Sequence, residues 1–295
     1  MTLIMGIVNV TPDSFSDGGR WFDADAAIGH AVELVADGAH IIDIGGESTR
    51  PGAEPLTSDE ELQRVLPVVT ELAARGIRVS IDTMHAATAT ACVEAGAEFV
   101  NDVSGGLADP DMYSAVAVTP ATYIAMHWRG LLGRTDSTPD DERARYEDVV
   151  DEVRAGLERR MTQAVAAGIP LERIVLDPGL GFSKQRAHNW QLLARMDELR
   201  SLGRPLLIGH SRKRFLGDLA GDRDVATSVV SALSAVSGAW AVRVHDVAST
   251  RAALEVADAW TSGREAHPGH GAALEPRLEA DGEPASAGEQ RERLT

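Results

Sequence analysis

One stretch concentrates the chemistry of this chain: Ile41-Ile42-Asp43-Ile44-Gly45-Gly46-Glu47-Ser48-Thr49-Arg50-Pro51-Gly52. A short apolar run rich in β-branched residues breaks into two glycines, and a carboxylate, two hydroxyls and an arginine follow. Apolar residues giving way to glycine read as a buried strand leaving a sheet, because glycine permits a sharp turn and close backbone approach. The polar groups then ride on a loop at the strand's C-terminal end. In parallel α/β sheets and barrels that is where ligands bind.

Seven further stretches, at 3–9, 78–83, 99–102, 123–127, 174–179, 206–213 and 241–246, repeat the pattern. They end on Asn9, Asp82, Asn101, His127, Asp177, Lys213 and the pair Arg243 and His245. Cations beside glycine-rich backbone suit an anionic group such as phosphate. Asp and Asn side chains at depth suit a polar heterocycle that carries N–H donors. Each residue also has a plainer reading. A strand-end Asp can cap a helix, and Asn9 or Asn101 can close an Asx-turn. Arg50, Arg212 and Arg243 can be solvated cations or ion-paired with an Asp. His127, His210 and His245 can be satisfied structural histidines, Glu47 an acceptor, and Trp128 and Phe182 packing. The functional reading gains weight from eight such ends together, with cations concentrated there on an acidic chain.

Eight short apolar runs alternating with helical segments predict a (β/α)8 TIM barrel, with an open doubly wound sheet as the alternative. Helices are expected over 24–37, 58–75, 86–95, 110–118, 141–167, 188–202, 225–238 and 248–260. The first should bury Ile28, Val32 and Val35. A capping-box pattern at 58–61 should open the second, whose apolar positions are Leu62, Val65, Leu66 and Val69. The fifth should bury Val149, Val153, Leu157, Met161 and Val165. From residue 261 the composition turns to Gly, Ala, Glu, Pro and Arg without apolar period, which predicts a barrel domain over 1–260 and a disordered tail over 261–295.

The chain has 295 residues, 44% hydrophobic, and a formal net charge of −17. That length suits one barrel of about 250 residues plus a tail. The negative charge argues against nucleic acid or an anionic membrane as partner, since both attract Lys and Arg. Cys92 is the only cysteine, so no intrachain disulfide forms; it reads as a small core residue. No apolar run reaches the ~18 residues of a membrane span, and 1–10 lacks the basic start of a signal peptide. A cytoplasmic protein is expected.

Ordered blocks along the chain resemble the dihydropteroate synthase family, the folate-pathway enzymes targeted by sulfonamides. The blocks are Asn9-Val10-Thr11-Pro12-Asp13-Ser14-Phe15-Ser16-Asp17-Gly18-Gly19, the Asp43–Gly52 stretch, Asn101-Asp102-Val103-Ser104-Gly105 and Met126-His127-Trp128-Arg129-Gly130. Asp177-Pro178-Gly179-Leu180-Gly181-Phe182, Ser211-Arg212-Lys213-Arg214-Phe215-Leu216-Gly217 and Arg243-Val244-His245-Asp246 complete them. The resemblance implies a transferase that joins 6-hydroxymethyl-7,8-dihydropterin pyrophosphate to p-aminobenzoate with Mg2+, as a homodimer. By it, Asp82, Asn101, Asp177 and Lys213 hold the pterin, Met126 and Phe182 line its pocket, and Arg243 stacks on one ring face. Asn9, Arg50, Arg243 and His245 hold the pyrophosphate, Asn9 also touches the metal, and Thr49 and Ser211 contact p-aminobenzoate. Arg50, Lys213, Arg243 and His245 are the implied catalytic group. The chain departs from the pattern at His85, His210 and Val225, where Arg or Lys, a small residue and Thr are commoner. Two other classes fit less well. A pterin-binding methyltransferase lacks the blocks around Arg50 and Lys213, and a silent paralogue would have lost Asn9, Arg50, Lys213 or Arg243.

Overall fold

The computed structural model describes residues 1–10, 24–47, 56–130, 142–217, 219 and 221–265. Thr49, Arg50 and the tail beyond 265 lie outside the described residues.

Eight parallel strands run in the order β6-β5-β4-β3-β2-β1-β8-β7. They are β1 (Leu3–Asn9), β2 (Ile41–Gly45), β3 (Val79–Asp82), β4 (Phe99–Asp102), β5 (Thr122–Met126), β6 (Ile174–Asp177), β7 (Leu207–Ile208) and β8 (Ala241–Val244). A parallel bridge between Leu176 and Leu206 joins β6 to β7 and closes the ring. The barrel is therefore the architecture, and the open sheet is excluded. Around it lie α1 (Ala24–Asp37), α2 (Ser58–Ala74), α3 (Ala86–Glu94), α4 (Met112–Ala117), α5 (Val149–Ala166), α6 (Arg186–Ala194), α7 (Met196–Arg200), α8 (Arg214–Gly217), α9 (Arg223–Val236) and α10 (Val247–Glu265).

Several expected boundaries shift, each for a local reason. The second helix is capped by Thr57 rather than Ser58: Thr57 Oγ1 accepts the Glu60 N–H, and Glu60 accepts the Thr57 N–H at 3.0 Å. The fifth starts at Val149, not 141, because Asp148 accepts the N–H groups of Val150 and Asp151. The sixth is broken at Arg195, whose backbone leaves the helical region while its guanidinium binds Asp148 at 2.8 Å and Glu198 at 2.6 Å. The last runs to Glu265, five residues past the expected end at 260.

The buried faces also turn from the rows expected. In α1 the buried row is Ala27, Ile28, Ala31 and Leu34, whereas Val32 and Val35 are exposed. In α5 Ala164 is buried and Val165 exposed. Small alanines facing the sheet let the helices approach closely, so the contact row is set by fit rather than by hydrophobicity. Gly6 shows how close they come: a methyl there would lie 3.1 Å from Leu34 and 3.3 Å from Val247, pinning α1 and α10 onto β1.

The core has two shells. The larger lies between strands and helices and includes Cys92, whose thiol is pushed up to about 12 chiefly by burial. The smaller fills the barrel itself: Met5, Ile41, Phe99, Ile124, Val175, Leu207 and Ala241, all from strands. These residues form an apolar plug beneath the C-terminal mouth. Ile124→Ala should therefore cost about 2–5 kcal/mol of unfolding free energy in a urea titration; a loss well under ~1 kcal/mol would mean the plug is not packed.

Candidate active site

Side chains alternate faces along a strand, so two residues beyond each plug residue comes another inward position. From Ile41, Phe99, Ile124, Val175 and Ala241 that step leads to Asp43, Asn101, Met126, Asp177 and Arg243. From Leu207 it leads to Gly209, and Asp82 sits inward beside Asn101 in the register of β3 and β4. Met126 pairs with Asp177 across β5 and β6. The polar ring thus follows from pleat and register.

At its centre Arg243 bridges two carboxylates, Nε to Asp43 Oδ2 at 2.5 Å and Nη2 to Asp82 Oδ2 at 2.6 Å. Asn101 Nδ2 also donates to Asp43 Oδ2, at 3.1 Å. Asp43 is fully buried, and its Oδ1 is without a partner among the described residues. Burial pushes the Asp82 carboxyl up to about 7; Arg243 pulls against it, while Asp43 and Glu61 add to the rise.

On the opposite side of the mouth stands Asp177, also buried, with Oδ1 accepting the Gly179 N–H at 2.7 Å. A methyl on Gly209 would lie 3.5 Å from Asp177 Oδ2 and 3.9 Å from Lys213 Nζ. Glycine there keeps a narrow gap between an acceptor and a donor. Burial draws the Lys213 ammonium down to about 8, and Asp177 holds it up. Lys213 Nζ donates to the Leu180 carbonyl and stands 4.5 Å over the Phe182 ring.

The remaining sequence candidates occupy the rim. Asn9 ends β1 opposite Gly45, its Oδ1 within 3.8 Å of where a Gly45 methyl would sit. Ser211 Oγ accepts the His245 N–H at 3.2 Å and lies 2.9 Å from His245 Nδ1, so the two are joined. Arg212 does not join the site: it binds Asp224 through Nε and Nη2 at 2.7 and 2.9 Å. Its backbone is left-handed, with φ +57, and its side chain is exposed. His210 is fully buried against the Thr227 carbonyl and Ser231, and burial lowers it to about 4, a structural neutral imidazole. Glu47 faces the His85 ring at 4.0 Å, burial raising its carboxyl. Among the described residues no cluster of three or more His, Cys, Asp or Glu side chains could hold a metal.

One buried cation was not anticipated. Lys184 Nζ meets the Gly179 carbonyl at 2.9 Å, the Phe182 carbonyl at 3.1 Å and His127 Nδ1 at 3.1 Å. Burial brings its ammonium down to about 7, opposed by Asp177. His127 is held neutral by burial and by Lys184. The sequence did carry a signal: Lys184 and Lys213 are the only lysines in the chain, and every other basic side chain of that class is arginine.

A barrel mouth that sets a buried acceptor beside a donor, with cations and amides near the rim, has the groups to hold a flat polar heterocycle bearing an anionic group. The pterin binding enzyme family model matches residues 5–245. The dihydropteroate synthase of Mycobacterium leprae (strain TN) is 50% identical over 87% of this chain and 93% of its own length. The Xanthomonas albilineans dihydropteroate synthase solved with 4-aminobenzoic acid is 42% identical, with a TM-score of 0.80 over 89% of this chain and 93% of that one. The same enzyme solved with 7,8-dihydropteroate is 40% identical, with a TM-score of 0.78 over 88% and 94%. This chain belongs to the dihydropteroate synthase family.

Two lysines make the electrostatics directly readable. In the [15N]lysine-labelled protein the two ammonium groups should titrate near 7 and 8 rather than above 10, both charged below those values. Asp177 holds both up, so Asp177→Asn should move both midpoints lower. Two titrations near 10 would remove the buried charge cluster.

Proposed function

We propose that this chain is a dihydropteroate synthase, an alkyl transferase that joins 6-hydroxymethyl-7,8-dihydropterin pyrophosphate to p-aminobenzoate and releases pyrophosphate. The observation that carries this reading is the gap over Gly209, flanked by Asp177 and Lys213. A pterin presents an amide N–H beside an exocyclic amine, two donors that a carboxylate accepts together. Lys213 then donates to the ring oxygen and nitrogen. Asn101 and Asp82 reach the far edge, Met126 and Phe182 cover the faces, and Arg243, anchored on β8, reaches both the ring and the rim.

Rim residues suit the departing pyrophosphate. Arg243, His245 and Asn9 stand on that side; Arg50, which the family resemblance gives the same role, lies outside the described residues. Ser211, bonded to His245, would contact p-aminobenzoate with Thr49, also outside them, so the two sites share an edge. The reaction breaks the methylene C–O bond first. The pterin ring delocalises the positive charge, the arylamine nitrogen then forms the new C–N bond, and it gives up a proton. No protein nucleophile is needed. Asn9 offers an amide oxygen, the kind of ligand Mg2+ accepts when phosphate oxygens and water supply the rest. Bound there, Mg2+ would neutralise charge on the leaving pyrophosphate.

Pyrophosphate release that requires p-aminobenzoate tests the activity; its absence in the folded protein would overturn the reading. Asp177→Asn keeps size but sets a donor against a donor. A buried mismatch costs roughly 1–3 kcal/mol, so pterin affinity should fall at least about tenfold with melting unchanged. Unaltered affinity would reduce Asp177 to a turn former.

The homodimer reading has its own support. On α9 Val225, Val229, Leu233 and Val236 form one exposed row, Leu233 at 61%. Val256 and Trp260 extend the apolar surface on the adjacent α10. Val225, where Thr is commoner in the family, lengthens that row. An exposed apolar face of this kind suits pairing with a second copy. Leu233→Glu should halve the mass seen by sedimentation equilibrium, and a monomeric native protein would exclude the dimer.

A further inference from the structure

The turn after β6 is shaped by three left-handed residues within five: Gly179 (φ +68), Gly181 (φ +78) and Ser183 (φ +48). It is pressed hard onto the end of β5, since a methyl on Gly179 would stand 2.3 Å from the His127 carbonyl oxygen. Within the turn the Gly179 carbonyl accepts the Phe182 N–H at 3.2 Å, and Lys184 adds a second donor to it and one to the Phe182 carbonyl. An ammonium has three N–H donors and no acceptor, and here it meets three acceptors: the two carbonyls and His127 Nδ1. Its charge therefore goes to the backbone and a ring, not to the gap over Gly209.

What the turn carries gives this clamp its importance. Gly179 N–H fixes Asp177 Oδ1, so the placement of Gly179 sets the rotation of that carboxylate. Phe182, two residues before the lysine, lies under Lys213 Nζ. We propose that Lys184 is a positioning residue for the pterin: its compact ammonium ties the Gly179–Phe182 turn to His127, just beyond β5, and so aims Asp177 and Phe182. A planar guanidinium is larger and cannot meet three convergent acceptors from one atom. That accounts for lysine at this place in a chain that otherwise uses arginine, Lys213 apart.

The inference rests on the pterin reading, so the native protein is first checked for p-aminobenzoate-dependent pyrophosphate release; failure there counts against that reading alone. Lys184→Met and Lys184→Arg are then compared with it by calorimetry with 6-hydroxymethylpterin and by steady-state kinetics. Both should bind the pterin at least about tenfold more weakly. The KM for the pterin pyrophosphate should rise more than kcat falls. Wild-type affinity in the Met variant overturns the clamp, and wild-type affinity in the Arg variant overturns the need for a compact ammonium. If a variant does not fold, the [15N]lysine-labelled native protein decides. Lys184 must then show ammonium protons that exchange far more slowly than those of a solvated lysine, and fast exchange overturns the assignment.

Discussion

Arg243 held between Asp43 and Asp82 is the interaction on which the mouth depends. Three ionisable groups are withdrawn from most of their water, and the cost of that is recovered only while all are in register. The bonds of 2.5 and 2.6 Å come from three different strands, β2, β3 and β8. A shift of one residue along any of them would turn a charge into the apolar shell between strands and helices. Removing one partner would leave a buried charge uncompensated, a loss of about 3–5 kcal/mol in comparable sites. The apolar plug below and the closed ring of strands keep that register.

A second buried system works on the outward side of the sheet. Asp102 accepts from Ser104 N and Oγ, from Gly106 N and from the Tyr123 hydroxyl, at 2.7 to 2.8 Å. Burial raises its carboxyl, and these four donors pull it down. Tyr123 is fully buried with its hydroxyl proton held. The result is a rigid exit from β4, so Asn101 next door is fixed from behind. Glu61 does similar service at β3, accepting from Thr83 Oγ1 at 2.6 Å beside Asp82. The inward groups line the mouth; the outward ones hold the strand ends still.

The two lysines divide the work of a cation. Lys213 stands beside the gap over Gly209 and donates to one carbonyl, whereas Lys184 is taken up by two carbonyls and the His127 ring. Together they offset the Asp177 carboxylate, whose rise on burial they oppose along with Arg243. An overall charge of −17 repels anionic substrates at long range, and local cations at the mouth must reverse that field close in.

By itself the sequence determined the periodicities: eight apolar runs, the helices between them and the polar residue closing each strand. Period-two alternation is local, so Asp82, Asn101, Asp177 and Arg243 were recognisable as strand-end groups from the chain alone. The family blocks added their proposed roles. Tertiary structure decided which of those groups meet. Asp43 and Arg243 are 200 residues apart and bond only because the barrel closes β8 onto β1 and β1 onto β2. Likewise Lys184 looks like an ordinary charge after a glycine-rich turn, and only the fold aims its ammonium at His127, 57 residues away. Helix faces were misread at Val32 and Val35 because hydrophobic spacing ranks residues by solvent preference, whereas the sheet selects the row that packs closest. Spacing along a chain records what each residue prefers; which partner answers that preference is set by the closure of the ring.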